Sequence, residues 1–237
     1  MLVLGIETST VRSSVALVDA ERVIASASLG VDRRHGEFVA PAIDFCLRQA
    51  GMTPDKLTGV AVGLGPGLYT GLRVGIATAQ TMAMSCGVPT VGISGLDVLA
   101  FQARHTKGLI CTVIDAKRRE LFWAFYRPSP GGVQREGELQ VGTLDALEAE
   151  IAATGESVLI VGDGGWLHRD RLEVLDATLA GPEAACPDAA VLAELAVPKF
   201  VREETVRPRQ LQPIYLRGAD AKIGWATRGR LRGGAPA

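Results

Sequence analysis

The chain has 237 residues, 25 Lys+Arg against 26 Asp+Glu, and 47% apolar residues. That content excludes intrinsic disorder as the main state, and the near-zero balance excludes a bulk polyelectrolyte that holds nucleic acid by charge alone. The first half alternates strand and turn. Leu2–Ile6 is a short apolar run, Glu7-Thr-Ser-Thr10 a polar turn, and Ser14–Val18 and Val23–Leu29 are two further strands. Close spacing reads as an antiparallel meander. A helix follows over about 37–50, with Phe38, Ala42, Phe45 and Cys46 on one stripe. Thr58–Leu64 is a buried strand, Thr70–Cys86 a long helix stopped by Gly87-Val-Pro89, Pro89–Ile93 a strand, and Ser94 caps a helix through Arg104. From Leu57 to Leu96 the single charge is Arg73, so this stretch belongs in a core or under a partner.

The opening pattern then recurs. Leu109–Ile114 is a strand, Asp115 stands at its end as Glu7 does, and Glu120–Tyr126 is the return strand. On that strand Leu121, Trp123 and Phe125 share one face and Phe122, Ala124 and Tyr126 the other, as in a core strand. A further strand closes near Gln140, Leu144–Ala152 is a helix, Val158–Val161 a strand ending in a Gly162-Asp-Gly-Gly165 turn, and Asp188–Arg202 a helix. Two units that each open on strand, acid, turn and strand imply an internal duplication. They suggest an α/β fold of the two-lobed actin-like ATPase (ribonuclease H-like) type, with duplicated mixed sheets flanked by helices; a generic α/β domain is the competing reading. The lobes are expected at 1–105 and 106–217, with a Gly/Arg-rich, disordered tail at 218–237.

Gly65-Pro-Gly-Leu-Tyr-Thr-Gly-Leu-Arg-Val-Gly75 is the most distinctive stretch. It has no Lys where a P-loop needs one, so packing and interface outweigh phosphate binding. Thr70 is placed to cap the helix, Arg73 is expected to be paired, and Gly71, Gly75, Ala79 and Ala83 at four-residue spacing let another backbone approach closely. Glu7, Thr8 and Ser9 suit a first phosphate turn. The matching turn, Asp115-Ala-Lys-Arg-Arg119, has no glycine and three cations, which argues against an intact ATPase. His35, His105 and His168 are too scattered for a helical metal pair, and no G-x-S-x-G elbow occurs. His35 reads as a surface or cap residue. The four cysteines form no C-x-x-C pair, which with the missing basic n-region predicts a reducing cytoplasm. Residues 199–237 hold nine basic and three acidic residues, a solvated tail or a weak RNA contact.

The motifs Leu4-Gly-Ile-Glu-Thr-Ser9, His35-Gly-Glu37 with Pro41 and Ile43, the glycine block, and Pro213-Ile-Tyr-Leu-Arg217 resemble the bacterial TsaB (YeaZ) family of tRNA threonylcarbamoyladenosine biosynthesis proteins. Glu7 stands where Asp is commoner, and Gly36 where Ser is common. The resemblance implies a non-catalytic subunit of a complex with the paralogue TsaD and the ATPase TsaE. That complex transfers threonylcarbamoyl to N6 of adenosine 37 in tRNAs reading codons that begin with A. It implies no metal, no resident cofactor, and a nucleotide only at the joint with partners, with Glu7, Thr8, Ser9 and Asp115 a vestigial nucleotide site. It implies pairing with TsaD, or with a second copy, through the two N-terminal helices. From the first, Phe38, Ala42 and Phe45 are expected at that surface. From the second, Thr70, Gly71, Arg73, Val74, Gly75, Thr78, Ala79 and Met82 join them. The competing readings are a stand-alone actin-like kinase and a glycoprotease-like metalloprotein.

Overall fold

Residues 1–31 and 34–216 are described by a computed structural model. The expected tail at 218–237 lies outside the described residues. The first half contains β1 (Leu2–Glu7), β2 (Ser13–Asp19), β3 (Val23–Leu29), α1 (His35–Gln49), β4 (Gly59–Gly63), α2 (Tyr69–Cys86), β5 (Thr90–Ile93) and α3 (Gly95–Gln102). The second contains β6 (Leu109–Lys117), β7 (Glu120–Ser129), β8 (Gly132–Gly142), α4 (Leu144–Thr154), β9 (Val158–Val161), α5 (Asp163–Leu167), α6 (Arg169–Leu172), β10 (Ala177–Leu179) and α7 (Ala189–Val201).

The duplication is topological. One sheet has the order β3-β2-β1-β4-β5 and the other β10-β9-β6-β7-β8. In each, a central strand pairs antiparallel with the next strand, which pairs antiparallel with the one after it as a meander, and parallel with a strand that returns after a helix. β1 and most of β6 are buried on both faces, which is why they read as unbroken apolar runs rather than alternating ones. As the sequence predicts, β7 splits its side chains between two cores: Leu121 and Trp123 join one, Phe122, Ala124 and Tyr126 the other.

The layers run α1 and α2, first sheet, α7 with α3, second sheet, α4. Leu4, Ile6, Leu17, Val60 and Val62 face Ile43, Cys46, Ile76 and Ala79 of the outer helices. On the other face Val3, Ala16, Ala61 and Val91 meet Ala189, Ala193, Ala196 and Phe200 of α7. A Cβ at Gly5 of β1 would lie 2.4 Å from the Ala189 carbonyl oxygen, so only glycine lets α7 lie this close to the sheet. Leu96, Leu99 and Ala100 of α3 pack instead on Ile110, Ile114, Phe122 and Tyr126 of the second sheet.

The helix expected to close the first lobe lies on the second sheet, and the helix expected in the second lobe covers the first. The physical reason lies in their composition: both helices are apolar nearly all round, as inner-layer helices must be. Polar contacts lock the joint. Arg12 Nη2 donates to the Cys186 and Pro187 carbonyls at 2.5 and 3.2 Å, Ser14 Oγ accepts the Ala189 N–H at 3.0 Å, and Tyr126 Oη donates to Asp97 at 2.7 Å. Among the described residues no helix is long and apolar enough to cross a membrane.

Candidate functional site

The Glu7–Ser9 turn lies at the end of β1, where the two sheets meet, and it is fully enclosed: Glu7 and Ser9 are 0% exposed and Thr8 1%. Its walls are glycines. A Cβ at Gly63 would lie 1.9 Å from Glu7 Oε2, at Gly67 2.0 Å from the Ser9 carbonyl oxygen, at Gly71 2.1 Å from the Thr8 carbonyl oxygen, and at Gly75 2.3 Å from Thr8 Oγ1. The opening motif and the glycine block are therefore two halves of one packing joint. Hydrogen bonds hold it: Thr8 Oγ1 donates to the Gly71 carbonyl at 2.8 Å, and Leu68 N to the Ser9 carbonyl at 2.7 Å.

Glu7 Oε1 accepts the Ser9 N–H at 2.6 Å, while Oε2 has no hydrogen-bond partner among the described residues. Burial pushes the Glu7 carboxyl above its ordinary range, against the Ser9 hydroxyl and backbone donors that favour the anion. From the second lobe, Ile114 and Pro187 close over Gly95 beside the Ser9 hydroxyl.

The matching turn in the second lobe is built from its own cations. Lys117, Arg118 and Arg119 all have φ between 57° and 65°, a left-handed conformation that costs side-chain-bearing residues about 1 kcal/mol each. Asp115 is tied down locally: Oδ1 accepts the Lys117 N–H at 2.8 Å and Oδ2 the Lys117 ammonium at 2.7 Å. The Gly162-Asp-Gly-Gly165 segment is not a simple turn but opens α5. Gly162 and Gly164 are required because Cβ atoms there would collide with Val113 and Ile114 of β6. Asp163 Oδ1 accepts the Asp115 N–H at 3.0 Å. A phosphate would need free N–H donors in both turns. Those of Ser9 and Lys117 are taken by the Glu7 and Asp115 carboxylates.

Asp163 carries the pH-sensitive group of this region. Burial, opposed by the Asp115 N–H, pushes its pKa from an ordinary 3.8 up to about 6. The folded state then binds more protons than the unfolded one between these values, so this stabilisation is complete below pH 3.8 and is lost as pH rises to 6. Asp163→Asn keeps an acceptor for Asp115 N and removes the titration. Urea midpoints should show it gaining about 1–2 kcal/mol on the parent between pH 4.5 and 7.5, after discounting for solvent screening. A difference that stays flat with pH would refute this.

Other placements differ from the sequence reading. Gly71, Gly75, Ala79 and Ala83 face the sheet inside the protomer rather than a partner helix, because the Glu7–Ser9 turn and the first core occupy that space. Ala42 is buried in the same core. Leu68, not Thr70, occupies the N-cap of α2, and Thr70 is exposed in its first turn. His35 is 4% exposed, with Nδ1 2.6 Å from Ser13 Oγ, so it is a core histidine rather than a surface one. Among the described residues Arg73 finds an aromatic ring rather than a carboxylate: its guanidinium carbon lies 4.1 Å from the Tyr69 ring centroid. Phe45 is exposed, while Phe38, Val74, Thr78 and Met82 are half-buried.

Two shallow apolar grooves flank α1. One, of about 370 Å³, runs between α1 and α2 over Ala40, Ile43, Ala77, Thr81 and Met82; the other, of about 360 Å³, runs along β3 over Ala27, Leu29, Pro41 and Phe45. The sequence reading missed Ala40 of α1 and Ala77 and Thr81 of α2, although the offset of the latter two from the glycine stripe marks the opposite face of α2. A further cleft of about 520 Å³ between α3, α7 and the β7–β8 hairpin has Asp97, Tyr126 and Arg135 in its wall. These polar groups satisfy one another, with Arg135 Nη1 3.6 Å from Asp97.

The family model described as TsaD, tRNA N6-adenosine threonylcarbamoyltransferase, matches residues 26–144. The chain is 31% identical over 228 residues to the Bacillus subtilis tRNA threonylcarbamoyladenosine biosynthesis protein TsaB, covering 95% of this chain and 98% of that protein. The solved structure of YeaZ from Pseudomonas aeruginosa superposes with a TM-score of 0.76 at 28% identity, over 91% of this chain and 99% of that one. The ADPNP-bound activator of 2-hydroxyisocaproyl-CoA dehydratase from Clostridium difficile shares the fold at a TM-score of 0.51 and 10% identity, over 91% of this chain and 100% of that one.

Proposed function

The chain belongs to the TsaB family of tRNA threonylcarbamoyladenosine biosynthesis proteins, and on that premise we propose that it is the non-catalytic dimerisation subunit of the modifying complex. In this reading it docks the TsaD paralogue through α1 and α2, and TsaE completes the assembly that transfers threonylcarbamoyl to N6 of adenosine 37. The chain supplies no catalytic residue and no resident cofactor, and a nucleotide enters only at the joint with a partner.

The observation that carries this reading is the enclosed Glu7–Ser9 turn. In a catalytic actin-like site that turn must open to phosphate. Here four glycines and the second lobe close on it, and its donors serve the fold. The apolar grooves on the α1–α2 side support the docking surface, since contiguous exposed apolar area marks partner sites. The test is reconstitution: tRNA, TsaD and TsaE, with and without this chain. Modification should depend on it, and equal rates without it would overturn the proposal.

A further inference from the structure

Among the described residues the two sheets have four edges, and three of them are closed to a further strand. β5 is paired with Val206: Thr90 N donates to the Val206 carbonyl at 3.2 Å, and Val206 N to the Thr90 carbonyl at 2.9 Å. β10 is only three residues long. β8 carries exposed Arg135, Glu136 and Glu138, and it breaks register where Gly137 takes a φ of 76°. Short edges, edge charges and bulges are the devices by which sheets refuse an added strand.

β3 has little of this. Its seven residues, Val-Ile-Ala-Ser-Ala-Ser-Leu, include no charge and no proline. Its one irregularity, the extra Ile24, lies at the start, and Ala25–Leu29 pair with β2 in unbroken register. No described strand lies on its other side. A row of backbone donors and acceptors therefore faces outward, and an extended chain is what matches such a row.

The two faces of the strand specify the side chains. Ala25 and Ala27 lean on the first core, while Ser26 and Ser28 are exposed. An added strand would alternate in the same way. Every second side chain would enter the groove of about 360 Å³ bounded by Ala27, Leu29, Phe38 and Phe45, the last 51% exposed. The charged residues lining that groove are Arg34 and Glu37, one of each sign, so it favours apolar, uncharged side chains. A second β3 fits poorly, because two of its three residues on that face are alanines, which stop at Cβ.

We propose that the β3 edge takes up an extended segment of a protein partner, alternating large apolar with polar residues, as an added strand of the first sheet. The backbone row supplies affinity, and the groove beside Phe45 supplies specificity. This inference does not rest on the tRNA-pathway reading.

The test is fluorescence anisotropy of the full chain with a labelled, end-capped peptide of the length of β3, seven residues, alternating leucine and threonine. It should bind, and the same residues with the leucines grouped should bind at least about 10-fold more weakly. N-methylation of alternate amides should weaken binding on one edge of the peptide and spare it on the other, because only one edge pairs. Phe45→Ser and Ala27→Lys should each weaken it at least about 10-fold while thermal melting shows both folded. No binding by the parent, no preference for alternation, an equal effect of methylation on both edges, or folded variants that both match the parent would overturn the inference. So would a dimer of the parent, seen by light scattering, that Ala27→Lys dissociates, since the edge would then belong to a second copy. These results leave the family reading intact if reconstituted modification still needs the chain. Lost dependence there, with peptide binding preserved, would sink that reading instead.

Discussion

Gly75→Leu should destabilise the fold rather than separate two copies of it. A Cβ at this position would lie 2.3 Å from Thr8 Oγ1 and 3.7 Å from Ile6. The Thr8 hydroxyl cannot swing away without abandoning its 2.8 Å bond to the Gly71 carbonyl. Nor can the turn retreat, because Glu7 and Ser9 are enclosed on their other sides. Overpacking of this kind costs about 3 kcal/mol or more, which for a chain of this size lowers Tm by roughly 6–12 °C. Differential scanning calorimetry reads the effect directly. A melt within 2 °C of the parent, roughly the shift of a neutral surface change, would mean that the turn has room to move and that the joint is looser than the four glycine contacts imply.

Ala77→Glu should do the reverse. Ala77 is exposed on α2 and lines the groove facing Ala40 of α1. Glutamate is a good helix former, so the monomer should melt within about 2 °C of the parent. A carboxylate buried without a partner in an apolar seam costs several kcal/mol. Self-association by light scattering, or capture of TsaD, should therefore weaken by at least about 100-fold. Unchanged association would move the docking surface off this groove. The two variants together separate what the sequence merged, since one lies on the inner face of α2 and the other on the outer.

That merging shows where sequence reading stops. Small residues at four-residue spacing let a backbone approach, but the pattern is the same whether the neighbour is another chain's helix or the Glu7–Ser9 turn sixty residues upstream. Nothing local distinguishes them. The strands were legible because burial on both faces leaves a continuous apolar run, and the duplication was legible because strand, acid, turn and strand recur at the same spacing. The Gly162–Gly165 segment reads as a turn because three glycines disfavour helix. The structure overrides that propensity, because Gly162 and Gly164 must clear Val113 and Ile114. The swapped placement of α3 and α7 was invisible for a related reason. An apolar helix announces that it is buried, and its sequence does not name the sheet.

The crossing of α7 onto the first sheet has a consequence during synthesis. Val3, Ala16, Ala61 and Val91 form one apolar face once β5 has left the ribosome, but the helix that covers them ends at Val201. At about 5–20 residues per second, that face waits roughly 5–20 s for its cover. The nascent first lobe is therefore a half-finished core exposed to solvent, and a ribosome stalled anywhere between β5 and α7 would display a sticky sheet. Chaperone demand for this chain is thus set by how late one helix arrives.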